Sequence, residues 1–219
     1  MTRGQLKRAR APEDKSERRA AIVRAAEALL RRDPGASFAV GDIARRAGLA
    51  KGTVYLYFGS REEVLLAVHD LQMEELFAAL EHALERPRVD AARVARAVLE
   101  FLGRRPEFFR LSTNCHGASE GCVSSPVADA HREAVAARLV ALGRRIERLY
   151  PAMRPGDGMA LLKNCYALML GLWQLAASPL RVAAGAGAPA PLRIDFETQL
   201  AAALTDLWNA AVRREGDPA

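Results

Sequence analysis

Cysteine is scarce in this 219-residue chain: three residues, at positions 115, 122 and 165. An odd count cannot close a disulfide framework, and the N-terminus MTRGQLKRARAPEDK is basic with no apolar centre of the kind a secretory signal needs. A reducing, cytoplasmic setting is expected. Long apolar runs are missing as well. The longest, Cys165 to Trp173, covers nine residues, well short of the ~20 that cross a bilayer, so no membrane partner is expected. Alternating β-branched stretches and hairpin dipeptides are absent, which excludes sheet and leaves an all-α fold. No nucleophile elbow, phosphate-cradling glycine loop or definable carboxylate pair occurs. The chain is therefore expected to be no enzyme, with no catalytic residue, no metal and no cofactor.

What is present is a globular composition, half of it apolar, with an uneven charge. Residues 1–66 hold 14 Lys+Arg against 8 Asp+Glu, whereas 67–219 hold 18 of each. The whole net charge of +6 thus sits in the first third. That asymmetry suggests a cationic module directed at a polyanion, joined to a balanced module with another task. Composition leaves DNA, RNA and an anionic membrane surface open.

Along the chain, Arg3, Lys7, Arg8, Arg10 and Lys15 have almost nothing apolar around them, so 1–15 reads as a flexible basic arm. Helical spacing starts near Ser16 with Ile22, Ala25, Ala26, Leu29 and Leu30, and stops at Asp33-Pro34-Gly35. Two short helices follow, Val40 to Ala47 before Gly48 and Lys51 to Phe58 before Gly59. Ser60-Arg-Glu-Glu63 is a capping box that opens a long fourth helix, broken by Arg86-Pro87-Arg88. A fifth helix ends near Gly103, and a sixth runs from Pro106 to about Thr113. Ser125-Pro126 opens a seventh that ends at Pro151. An eighth runs from about Gly156 to Ser178, and a ninth from Asp195 through Ala211. About nine helices result, divided as 16–66 and 67–219 behind the arm, with RVAAGAGAPAP a low-complexity link between the last two.

The informative stretch is Val40-Gly-Asp-Ile-Ala-Arg-Arg-Ala-Gly-Leu-Ala-Lys-Gly-Thr-Val-Tyr-Leu-Tyr-Phe58. Helices this short need tertiary support. Small Ala44 admits a close crossing, and Gly48 can adopt the positive φ of a sharp turn. Ile43, Leu49 and Val54 close a small core against the first helix. The outcome is a helix-turn-helix whose second helix fits a major groove. Lys51 and Thr53 lie at that helix start, where dipole and amides favour phosphate. Gly52 permits close approach, Tyr55 and Tyr57 offer hydroxyls and rings, and Arg61 is placed to clamp a phosphate.

With Asp42-Ile-Ala, Ala47-Gly-Leu-Ala-Lys-Gly-Thr-Val-Tyr, Tyr57-Phe58 and Ser60-Arg-Glu-Glu63, residues 16–66 resemble the DNA-binding domain of the tetracycline-repressor (TetR) family of bacterial regulators. The resemblance implies a homodimer that binds a palindromic operator, three N-terminal helices on DNA, and a larger helical domain that binds a small-molecule inducer and dimerises through its last two long helices. It places DNA contacts at Lys51, Gly52, Thr53, Tyr55, Tyr57 and Arg61. The hydroxyl that members often carry before the second helix is replaced by Phe38-Ala39-Val40-Gly41, with Ser37 the nearest hydroxyl. Leu56 stands where a polar residue is frequent.

In the second module, Phe101, Phe108, Phe109, Tyr166, Met169 and Trp173 sit on helices that could surround a ligand, although the same spacing suits plain core. Asn114 and His116 could add polar groups. Balanced charge points to an apolar or aromatic inducer. The surplus of apolar residues on the eighth helix suits a dimer interface. Cys115, Cys122 and His131 offer a competing reading as a thiol-redox or metal-responsive site, or a small helical thiol enzyme, although no zinc-finger spacing is present.

Overall fold

The structure, a computed structural model, describes residues 3–32, 38–85, 90–119, 126–177 and 194–213, with side chains of 3–14 and 114–119 excepted. Nine helices and no strand occur among them: α1 Arg3–Arg32, α2 Val40–Ala47, α3 Lys51–Tyr55, α4 Arg61–Ala83, α5 Ala91–Arg104, α6 Phe108–Ser119, α7 Pro126–Leu149, α8 Asp157–Ala176 and α9 Phe196–Val212. None of the described helices is long and apolar enough to cross a membrane. Ser37, Cys122, Ser125 and the low-complexity link lie outside the described residues.

Three stretches differ in local structure from expectation. Residues 1–15, expected as a flexible basic arm, are helical from Arg3, where α1 begins. Gln, Leu, Lys, Arg and Ala are strong helix formers, and backbone propensity does not need the apolar stripe whose absence argued for an arm. Second, α3 ends at Tyr55 rather than Phe58: the Leu56 and Tyr57 amides donate to carbonyls three residues back, at 3.2 and 3.0 Å, tightening the last turn. Third, α6 starts at Phe108, two residues after Pro106, and runs on to Ser119.

The chain forms two compact units that cut the sequence differently from a single division near residue 66. One comprises 1–72 and 105–131, the other 73–104 and 132–219. In the first, Ile22, Ala26 and Leu30 of α1 pack with Ile43 and Ala44 of α2, Val54, Phe58, and Val64 and Val68 of α4. Leu111 of α6 joins the same core, which is why α6 belongs to this unit. Glu27 of α1 pairs with Arg105 just before α6, both largely buried.

In the second unit α9 packs against α5 and α8. Leu200, Leu204 and Trp208 recur every fourth residue on the buried face of α9, and the Trp208 indole N–H donates to the Tyr150 hydroxyl at 3.3 Å. Asp195 caps α9. Its carboxyl is held below its ordinary range, first by the Thr198 hydroxyl and then by the Thr198 amide. Between α7 and α8 the backbones touch at Gly143 and Gly158, where no Cβ would fit. Glu147 of α7 accepts from the Gly156 and Gly158 amides at 2.8 and 3.1 Å, closing the start of α8.

Candidate nucleic-acid interface

Each turn around α2 and α3 has a local cause. Val40, Ile43 and Ala44 bury one face of α2. Gly48, at φ +68°, ends it in the left-handed region, with Leu49 N–H donating to Ala44 O at 2.9 Å and Gly48 N–H to Arg45 O at 3.3 Å. A Cβ there would be strained. At the start of α2, Ala39 has no capping side chain; the Asp42 carboxylate instead accepts the Ala39 amide at 2.9 Å. At α4 the Ser60 hydroxyl accepts from Glu63 N–H at 3.1 Å while the Glu63 carboxylate accepts from Gly59 N–H at 2.8 Å. The capping box forms with its return bond displaced by one residue.

These anchors project a short cationic face. Val54 and Phe58 are buried, whereas Lys51, Gly52, Tyr55 and Leu56 are exposed, Tyr55 by 47 % and Leu56 by 79 %. The Lys51 ammonium stands 5.9 Å from the Tyr55 ring centroid. Thr53 is half-buried, and Tyr57 packs part of its ring on the N-terminal core, so the two tyrosines divide between surface and core. The Arg61 guanidinium lies 5.2 Å from the Phe38 ring and 3.5 Å from Glu62. Exposed Arg45 and Arg46 continue the basic surface on α2. Arg19 of α1 covers the Phe58 ring at 4.9 Å.

The residues expected to meet a ligand are distributed between the units. Phe108 and Phe109, edge to face at 5.5 Å, are buried in the first, and Phe101, Tyr166, Met169 and Trp173 lie in the second. Phe101 and Met169 are buried there, with Tyr166 and Trp173 half-buried. Asn114 and His116 fall on α6, where side chains are not described. His131, proposed for a thiol or metal site, pairs with Asp70. The Cys165 thiol is pushed up to about 12 by burial, opposite to the lowered value of a reactive cysteine.

Two family models match the chain. Residues 22–68 match that of the bacterial regulatory proteins of the tetR family, and 70–212 that of the tetracyclin repressor-like C-terminal domain. The second alone spans more than half of the sequence. The chain belongs to the TetR family. It is similar to the HTH-type transcriptional regulator EthR of Mycolicibacterium smegmatis, 33 % identical over 101 residues, 44 % of this chain and 46 % of that protein. EthR of Mycobacterium tuberculosis is 39 % identical over 71 residues, 32 % and 33 % respectively. The matched stretches thus cover less than half the length of these relatives. In fold it resembles a TetR-family transcriptional regulator from Mesorhizobium loti, with TM-score 0.60, 17 % identity, and 91 % and 96 % of the two chains covered. LfrR from Mycobacterium smegmatis, solved in complex with proflavine, gives TM-score 0.50, 22 % identity and coverages of 93 % and 99 %.

In this TetR-family member a buried polar group joins α4 to α6 and the turn just before it. Gln72, 1 % exposed, donates to the fully buried Glu107 carboxyl at 2.8 Å. Three residues earlier on α4, His69 meets the Ser112 hydroxyl at 3.1 Å, and that hydroxyl donates to Phe108 O at 2.9 Å. A hydroxyl has one proton, so His69 Nε2 carries the proton and donates to Ser112. Polar residues three apart on an apolar helix face were the available signal for His69 and Gln72. Nothing local pointed to Glu107.

Proposed function

We propose that the chain is a ligand-responsive transcriptional repressor that binds a palindromic operator as a homodimer. The observation that carries this reading is the exposed face Lys51, Gly52 and Tyr55, raised on a helix anchored by Val54 and Phe58. In the proposed complex α3 enters the major groove, with Lys51 and Thr53 serving phosphates and bases and Tyr55 the groove wall. Tyr57 and Arg61 steady the backbone contact. Half-site centres then lie about one helical turn apart, ~34–36 Å or a little more.

Dimerisation is assigned to α8 and α9. Support comes from α8, where Leu168, Leu170, Leu172 and Trp173 are only half-buried and Leu175 is exposed. A second copy would cover that apolar surface. The inducer is assigned to the C-terminal region as a small apolar or aromatic molecule, a reading favoured by the aromatic side chains there and by the planar aromatic compound bound in LfrR. It acts by favouring a separation of the two recognition helices that misfits the operator; a preference of a few kcal/mol is enough to release DNA. The setting of such a regulator is the cytoplasm.

Binding selection from a random double-stranded DNA pool, run with wild type and Tyr55→Ala side by side, tests the reading. An inverted repeat enriched by wild type and not by the variant is expected. Equal enrichment by both, or none by wild type, would refute it.

A further inference from the structure

Leu56 is 79 % exposed, the largest value for a bulky apolar residue among the described ones, beside Val54 at 1 % and Phe58 at 3 %. Its backbone, φ −72° and ψ −17°, stays in the right-handed helical region at the tightened end of α3, four residues beyond Gly52. Helical side chains lean toward the N-terminus, so Leu56 overhangs the turn in which Gly52 lies. A Cβ at Gly52 would meet nothing within 4 Å. The missing side chain therefore leaves a step beneath the leucine on a face that also presents Lys51 and Tyr55. No acidic residue occurs between Ala50 and Phe58 to repel a polyanion.

A leucine has no donor or acceptor to offer the polar edges of base pairs. The apolar group those edges display in the major groove is the C5-methyl of thymine. We infer that Leu56 is a specificity residue that reads a 5-methylpyrimidine, thymine in ordinary DNA, at one position of each operator half-site. The base edge enters the step at Gly52, and the isobutyl group covers its methyl. This rests on the proposed insertion of α3 in the groove and adds to it the chemical feature being read. Burying one methyl corresponds to about fourfold in affinity per half-site and roughly fifteenfold across both.

The test uses the full-length protein and the operator that wild type selects. Each thymine in turn is replaced by deoxyuridine symmetrically in both half-sites, and binding is followed by fluorescence anisotropy for wild type and Leu56→Ala. Wild type should lose roughly fifteenfold at one symmetric position, while Leu56→Ala binds thymine and uracil there equally, with an unchanged melting curve because the side chain is solvent-exposed. Indifference of wild type to uracil at every position overturns the inference while leaving operator binding intact. So does discrimination that survives undiminished in Leu56→Ala, which transfers the reading to another side chain. Failure of wild type to select any operator overturns this inference together with the reading beneath it.

Discussion

Replacing Gly158 with alanine tests the close approach of the α7 and α8 backbones. The new Cβ would fall inside the Gly143 carbonyl oxygen's van der Waals envelope, 2.9 Å from the carbonyl carbon and 3.0 Å from Cα. Carbon atoms sit comfortably at about 3.5 Å or more. Backbone lies on both sides, so no side chain can turn aside, and the helices must separate by several tenths of an ångström or more. Overpacking of this kind costs about 3 kcal/mol, against which the better helix propensity of alanine returns up to about 1. For a chain of this length a net loss of about 2–3 kcal/mol lowers the melting temperature by roughly 5–10 °C. Gly103→Ala is the control, since its Cβ would meet nothing within 4 Å; it should melt at the parent temperature or slightly above. Far-UV circular dichroism melts at one fixed protein concentration, needed because the proposed dimerisation would shift the apparent midpoint, decide the matter. If Gly158→Ala melts with the parent, the close backbone approach at this crossing is wrong.

Gln72→Leu should destabilise by about 2–3 kcal/mol, because the Glu107 carboxyl loses its hydrogen bond while fully buried. The double variant Gln72→Leu/Glu107→Leu should recover much of that in urea unfolding, and strict additivity of the two single losses would sink the account. Cys165, in a Cys115→Ala/Cys122→Ala background, should resist alkylation at neutral pH until denaturant is added. Its folded value of about 12 exceeds the ordinary 9.0, so the folded chain keeps a proton that the unfolded chain releases between the two. The stabilisation is complete below about pH 9 and declines above it by about 1.4 kcal/mol per pH unit. A pH-stability curve that does not flatten in Cys165→Ala would refute this assignment.

The parts of the fold legible in the sequence are those whose causes lie within a few residues. Gly48 in the left-handed region and Ser60 with Glu63 at the head of α4 could be read from residue types alone. So could the apolar spacing of α2, because a helix cap or amphipathic face is fixed by near neighbours. The helical course of the N-terminal segment is less legible for a related reason: apart from Gly4 and Pro12 most of its residues tolerate helix, but they present no apolar stripe. The end of α3 depends on how tightly the chain turns after Val54, which residue types do not encode. Of the residues expected at a nucleic-acid interface, Lys51, Gly52 and Tyr55 are exposed, and Tyr57 is divided because its ring finds the N-terminal core.

The sequence by itself determined that this chain is all-helical, that its first third is cationic, and that α2 and α3 form a helix-turn-helix with its turn at Gly48. Those properties follow from composition and from interactions a few residues long. Only the tertiary structure decided that α6 shares a core with the helix-turn-helix, that Phe108 and Phe109 fall in a different unit from Phe101 and Trp173, and that Gln72 meets Glu107 from 35 residues away. Buried polar pairs and helix crossings are chosen by which surfaces the whole chain brings together. A residue's own neighbours in sequence carry no record of that choice.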